Sequence, residues 1–366
     1  MLKKTLLAAV AVIGVIILYF IAWPVPIDPI VWKAPPNPGF TGSFKANEDL
    51  KDLEIFKIAG NHGPEDVALD AQGRIYAPTH DGNIVRLEPD GSNPQNWVNT
   101  KGRPLGIDFD QQGNLIVADA IRGLLSISPD KSITELSTSA GGVPIGFADD
   151  VDVAADGKIY FSDASTKFWP KVVGDTYKAS RLDVIEHGGN GRLLVYDPVA
   201  KTTTVLLGGL NFANGVAVSH DQTYVLVNET GSYRVTRYWI AGDKKGTSDI
   251  FLDALPGLND NISTGLDGRF WIALMSIRVD ILDRLSDKPF LRKVILRIPD
   301  FLAPQAIPYG HVIAVNTQGE ILMSLQDPSG AYPFTTSAVE AEDYLYVGSL
   351  VAPVLGRIHK SKIGLQ

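Results

Sequence analysis

Residues 149–163, DDVDVAADGKIYFSD, carry the pattern that decides the fold. An acidic start leads into a short alternating apolar run, then a tight turn at Gly157, then a second apolar run. Alternation with a period of two is strand spacing, and a glycine turn between two such runs makes a hairpin. The unit recurs as EDVALDAQGRIYAP (65–78), LGIDFDQQGNLIVAD (105–119), NGVAVSHDQTYVLVNE (214–229) and DNISTGLDGRFWIAL (260–274), with a weaker copy TSAVEAEDYLYVGSL (336–350). An outer pair of strands follows, as in GRLLVYDPVAKTTTVLL (191–207). Inner plus outer hairpin makes a four-stranded antiparallel unit, and radial repetition of such units is a β-propeller. HVIAVNTQGEILMSL (311–325) starts like an outer hairpin, so the count is six blades. The strand LEIFKI (53–58) is expected to complete the sixth blade and close the ring, which removes sheet edges. The expected fold class is all-β, a six-bladed β-propeller over residues 45–366.

Two segments precede the propeller. Residues 5–23, TLLAAVAVIGVIILYFIAW, are an uncharged run preceded by Lys3 and Lys4. At about 1.5 Å per residue such a helix nearly spans a bilayer core of about 30 Å. Residues 1–23 are therefore read as a cytoplasmic stub and a single-pass transmembrane signal-anchor. The flanking lysines leave the N-terminus in the cytoplasm and the propeller on the extracytoplasmic side, in a periplasm or lumen. A cleaved signal peptide is the alternative, although IAWPVP offers no clean small-x-small site. Residues 24–44 are proline-rich and read as a stiff spacer.

Composition narrows the partners. The 366 residues contain no cysteine, which excludes disulfides, thiolate metal sites and thiol catalysis. A net charge of −8 without a basic block disfavours nucleic acid. There is no G-x-S-x-G elbow, no H-E-x-x-H, and GGNG (188–191) lacks dinucleotide-binding spacing. Two stretches break the strand rhythm, residues 164–187 and 275–308. The second has apolar residues at helical spacing and is read as a helical lid packed over one face of the propeller. A membrane-touching patch through Arg292, Lys293 and Arg297 is the other reading of it.

Counting back eight residues from the turn position (Gly73, Gly113, Gly157, Gln222, Gly268) gives Glu65, Leu105, Asp149, Asn214 and Asp260. Equivalent strand starts in a propeller face the central channel, so these side chains, with Asn261 beside the last, are expected to converge on the axis. Carboxylates crowded together repel unless a cation sits among them, and all-oxygen donors suit Ca²⁺ or another divalent ion. The metal ligands expected are Glu65, Asp149, Asn214, Asp260 and Asn261. Asp66, Asp70 and Asp150 are assigned to local hydrogen bonding at strand starts and turns. Asp119 and Glu229 end inner strands and are taken, with Leu105 and Thr335, as substrate-pocket candidates.

FANGVAVS (212–219) and LPGLNDNISTGLDGRFWIAL (255–274), after EDVALD and FADDVDVAADGKIYFSDAS, resemble the strictosidine synthase-like and gluconolactonase propellers, the superfamily that includes senescence marker protein and the paraoxonases. The anchor, the FANG and FWxA segments and PFLRKV (289–294) are most similar to the membrane-anchored adipocyte plasma-membrane-associated branch. The likeness spans about residues 25–362. It implies a six-bladed propeller with a central Ca²⁺ and hydrolysis of esters or lactones. The metal positions it implies match Glu65, Asp149, Asn214, Asp260 and Asn261, with Asp149 where relatives usually have Asn.

Two departures stand out. Pro104-Leu105-Gly106 replaces the Pro-His-Gly of paraoxonases, so histidine-based water activation is missing. The last blade offers Thr335 and Thr336 where strictosidine synthases use a glutamate, and Glu340 aligns too late, which disfavours amine–aldehyde condensation. The function expected is a Ca²⁺-dependent lactonase or arylesterase. The metal would polarise the carbonyl, and Asp260 would activate water, attack directly, or serve as a plain ligand. The alternatives are a metal-stabilised propeller that has lost catalysis and binds a ligand or protein, and a strictosidine-synthase-type lyase. The substrate and any protein partner stay open.

Overall fold

In the computed structural model, which describes residues 2–299 and 301–365, each repeat folds as a hairpin whose turn sits at the predicted position. Gly73, Gly113, Gly157 and Gly268 all have positive φ, which the tight turn demands, and Gln222 takes the same left-handed conformation. Six four-stranded antiparallel sheets result. The outer hairpin Gly310–Val315 and Ile321–Asp327 completes the fifth sheet, so residues 311–325 are part of a blade and not a seventh one. Glu54–Lys57 pairs antiparallel with Val354–His359 and becomes the outer strand of the sixth sheet. The N-terminal strand thus locks the last blade, and Arg357 Nε reaches Glu54 Oε2 at 2.8 Å across that seam. Alternating inward residues of neighbouring sheets pack into the interblade cores. One such core groups Ile116, Phe161 and Leu194, and another groups Leu226, Phe270 and Ile313.

The inner hairpins of blades two to six share one irregularity. Their register shifts between Pro104 and Ile107, Ala148 and Val151, Ala213 and Val216, Asn259 and Ile262, and Thr335 and Ala338. A bulge re-aims side chains, and here it falls on the residues that reach the channel. By this register the sixth equivalent of Glu65, Leu105, Asp149, Asn214 and Asp260 is Thr336, not Thr335.

The innermost strands are joined across blades by carboxylates. Asp66 Oδ2 accepts from Ile107 N at 3.0 Å, Asp108 Oδ2 from Val153 N at 2.9 Å, and Asp150 Oδ2 from Val216 N at 2.7 Å. Asp152 Oδ2 accepts from Val218 N at 2.7 Å. Asp66 and Asp150, expected to bond locally, also fasten each blade to the next; Asp150 Oδ1 keeps a local bond from Val151 N at 2.8 Å. Asp70 does act locally, accepting from Gln72 N and Arg74 N within its turn.

Helix α1 (Leu2–Ala22) is apolar and unburied, and is long and apolar enough to cross a membrane. Both insertions leave the upper ends of second strands, so both lie over the face where the first strands start. One insertion holds α2 (Pro170–Val173) and α3 (Thr176–Glu186); the other holds α4 (Asp280–Arg284) and α5 (Pro289–Ile295). The helical spacing read across 275–308 yields two short helices, because Pro289 starts a new one and Pro299 stops it.

The proline-rich segment differs from a free spacer. Ile27 is fully buried, Asp28 N donates to Glu186 Oε2, and Trp32 stacks on His187 with ring centroids 3.9 Å apart. Arg292, 2% exposed, donates to the carbonyls of Ile185, Glu186 and Ile30. The first two are carbonyls at the C-terminal end of α3, where a cation also meets the negative end of the helix dipole, and Glu186 O accepts from Ile30 N as well. Arg297 is buried as well and donates to Phe20 O and Trp23 O, capping α1. Arg292 and Arg297 therefore face inward and do not form a basic membrane patch; Lys293 pairs with Asp28.

Arg292→Ala is expected to strip a buried, charge-assisted hydrogen-bond set and cost about 2–4 kcal/mol. Limited trypsinolysis checks it: cleavage after Lys33 should be fast in the variant and slow in the parent.

Candidate active site

The first residues of the inner strands form tiers around the channel. Two residues before the ring positions stand Arg103, Phe147, Phe212 and Leu258. Phe147 and Phe212 meet edge to face at 5.3 Å, and with Leu258 they wall a cavity. The ring residues Glu65, Leu105, Asp149, Asn214 and Asp260 form its floor. Thr176, Tyr177, Ser180, Arg181 and Val184 of α3 roof it, and Ile295, Pro304, Gln305 and Ala306 close the other side. The cavity volume is about 110 Å³. One water needs about 10–15 Å³ by this measure, so the space admits a small organic group.

The floor is acidic and buried. Glu65, Asp149 and Asp260 are 5%, 5% and 7% exposed. Burial pushes the Asp260 carboxyl well above the ordinary range, and the nearby Glu65 and Asp149 push it further. Asp149 is raised in the same way, by burial first and then by Glu65, with Arg103 opposing. Glu65 is raised by burial against the pull of Arg103, whose Nη2 lies 2.9 Å from Glu65 Oε2. Arg103 escaped the sequence reading; its signal was a cation two residues before a ring position. Hydrogen bonds hold the Asp260 strand: Asn228 Nδ2 donates to Asp260 O, and Thr230 Oγ1 donates to Asn259 O at 2.7 Å.

Among the described residues, no three His, Asp or Glu side chains are drawn tightly enough together to make a ready metal shell. The donor chemistry nevertheless fits an oxygen-seeking cation. Asn214 Oδ1 is buried without a partner, and carboxyl oxygens of three blades line the same floor.

The remaining candidates lie elsewhere. Asn261 lines a separate cavity lower in the channel, with Asp66, Asp108, Asp150 and Asp152. The bulge sends it to the side away from Asp260. Asp119 and Glu229 are fully buried but do not line the pocket. Asp119 Oδ1 accepts from Arg103 N, and Glu229 Oε2 accepts from Asn211 N. Asp163 does the same for Phe147 N in the blade between them. These three acids end equivalent second strands and tie down the chain entering their own blades. Glu229 also pairs with Arg234, and Asp163 with Arg192. Thr335 is buried and bonds to the His311 and Leu274 carbonyls. Thr336 Oγ1 donates to Glu65 O at 2.6 Å and so steadies the acid of the adjoining blade.

The acids of the lower channel make stability depend on pH. Burial raises Asp66 to about 7 and Asp152 to about 6. A carboxyl whose folded value lies above its unfolded value stabilises the fold while protonated, and that stability is lost as pH rises through the folded value. In chelator, the melting temperature is therefore expected to fall between about pH 4 and pH 7, traced by thermal denaturation at stepped pH. Asp152→Asn should flatten the part of the fall between about pH 4 and pH 6.

Comparisons with known proteins agree with this architecture. The strictosidine synthase family model matches residues 149–243, and its strictosidine synthase-like N-terminal model matches residues 42–87. The adipocyte plasma membrane-associated protein of Rattus norvegicus is 34% identical over 361 residues, covering 92% of this chain and 94% of that protein. Strictosidine synthase-like 6 of Arabidopsis thaliana is 39% identical over 309 residues, covering 82% of this chain and 80% of that protein. A gluconolactonase from Xanthomonas campestris superposes with a TM-score of 0.61 at 16% identity, covering 92% of this chain and 98% of the other. A regucalcin from Agrobacterium tumefaciens, described as calcium-binding, superposes at 0.55 and 14% identity, covering 81% and 85%. At such identities the last two speak for the fold alone.

Proposed function

The chain belongs to the strictosidine synthase-like family that includes adipocyte plasma membrane-associated protein, and from that premise we propose that it is a membrane-anchored, Ca²⁺-dependent hydrolase of esters or lactones. The observation that carries the reading is the pocket floor: Glu65, Asp149, Asn214 and Asp260 from four blades, under an apolar wall. The names of the fold neighbours, a gluconolactonase and a calcium-binding regucalcin, point the same way. The anchor reading places the propeller on the extracytoplasmic side.

Glu65, Asp149, Asn214 and Asp260 would hold the ion by side-chain oxygens. When bound, Ca²⁺ supplies Lewis-acid polarisation of the substrate carbonyl and counter-charge for the oxygen that becomes negative. The protein does the rest. Phe147, Phe212 and Leu258 take the apolar part of the substrate and exclude water from it. Asp260, at the edge of the floor, would accept a proton from the attacking water and return it to the leaving oxygen. Arg103 holds Glu65 in place and offsets one of three negative charges.

Leu105 favours a second reading. It lines the floor at the position where paraoxonases carry histidine, and it offers no proton acceptor. A propeller that binds a ligand at the same floor without turning it over fits that substitution. A lyase is disfavoured, because the threonines of the last blade bond to backbone carbonyls and bring no acid to the pocket.

The test is hydrolysis of a panel of lactones and aryl esters by the full chain in detergent, with Ca²⁺ and with chelator. Activity is expected to vanish on chelation and return with Ca²⁺. Asp260→Asn should lower kcat by about a hundredfold or more while the Ca²⁺-induced rise in melting temperature persists. A stability response to Ca²⁺ with no turnover of any ester or lactone would select the binding propeller.

A further inference from the structure

One stretch, residues 289–307, meets the anchor, the pocket and the outside at once. Arg297, two residues past the end of α5, caps the last carbonyls of α1, and Tyr19 Oη donates back to Arg297 O at 3.1 Å. The lid is thus bonded to the emerging end of the membrane-spanning helix. Ile295, Pro304, Gln305 and Ala306 of the same stretch line the cavity. Its outward side chains are apolar: Phe301 is 85% exposed, Leu302 67% and Phe290 53%. Gln305 both lines the cavity and is exposed, so this wall is one residue thick. Large apolar side chains left exposed on a segment bonded to a membrane anchor have a ready cover in the bilayer surface.

We propose that the lid face rests on the bilayer surface and that the pocket admits an amphiphile from the membrane, an ester or lactone carrying an alkyl chain. The occupant of the patch is the lipid interface. Capping by Arg297 fixes α5 at the point where α1 leaves the apolar core, which puts Phe290, Phe301 and Leu302 at headgroup depth. An alkyl chain drawn from there passes Ile295 and Ala306 and reaches Phe147 and Phe212 without crossing water. Its polar head then meets the acidic floor. The substrate class rests on the hydrolase reading; the seating of the lid on the bilayer rests on the anchor and the lid contacts alone.

The chain has no cysteine, so single cysteines can be placed without background. Full-length protein in nanodiscs, labelled with a small fluorophore at Phe290→Cys, Phe301→Cys or, on the opposite face, Gln112→Cys, is compared with and without spin-labelled lipid. Quenching at 290 and 301 is expected to exceed that at 112 at least threefold. Equal quenching at all three would overturn the proposal whatever the turnover. Energy transfer between labelled copies at 301 without lipid quenching would also overturn it, in favour of self-association. A second arm compares butanoyl with decanoyl esters in the same nanodiscs. The kcat/KM ratio of long to short chain is expected to fall about tenfold in Phe301→Ser/Leu302→Ser, and an unchanged ratio would overturn the amphiphile class. Selective quenching with no turnover of either ester would support the membrane-seated lid while removing the hydrolase reading.

Discussion

Radial sheets leave a free edge at the centre, and the rest of the molecule depends on how that edge is satisfied. The first strand of each blade has a partner on one side only. Its other edge points amide groups into the central channel, and a buried unpaired amide is costly. Here the acceptors are carboxylates of the preceding blade. Asp66, Asp108, Asp150 and Asp152 each take an amide hydrogen from the neighbouring inner strand. Later in the ring serine and threonine satisfy backbone carbonyls instead, with Ser263 Oγ donating to Ala338 O and Thr264 Oγ1 to Val218 O. The blades are therefore fastened at the axis as well as at the N-terminal seam.

This constraint sorts the many acids of the repeats. Those one or three residues after the ring position bond to the backbone and give rigidity. Those at the ends of second strands, Asp119, Asp163 and Glu229, hold the entry of the chain into each blade. The ring acids Glu65, Asp149 and Asp260 face the cavity. The bulge shared by the inner hairpins keeps the two sets apart, since it turns neighbouring residues such as Asp260 and Asn261 toward different cavities. Burial raises the proton affinity of both sets, so the channel favours bound protons or bound cations over free carboxylates.

The upper face is assembled from parts remote in the chain. Residues 25–35, α3 and α5 meet through Arg292, and α5 meets α1 through Arg297. Val25, Ile27, Leu182, Val184 and Leu296 pack into one apolar cluster with Phe147 and Phe212 of the pocket wall. Lid, strap and pocket wall share a core, so movement of any one of them is coupled to the others by packing and not through a flexible tether.

The sequence alone determined the blade count, the turn positions, the closing strand, the membrane-length helix and four polar ring positions that reach the pocket floor. These follow from short-range periodicity and from glycine at fixed offsets, which local sterics enforce. The tertiary structure decided the rest. Asp119 and Glu229 look like pocket acids until the register shows them bonded to their own entry strands. Asn261 and Thr335 sit one residue from a ring position, and only the bulge shows which neighbour reaches the cavity. Arg292 and Arg297 read as a surface patch because their partners are carbonyls of segments more than a hundred residues away. A backbone carbonyl carries no signature in the sequence, so contacts made to it become visible only when the chain has folded.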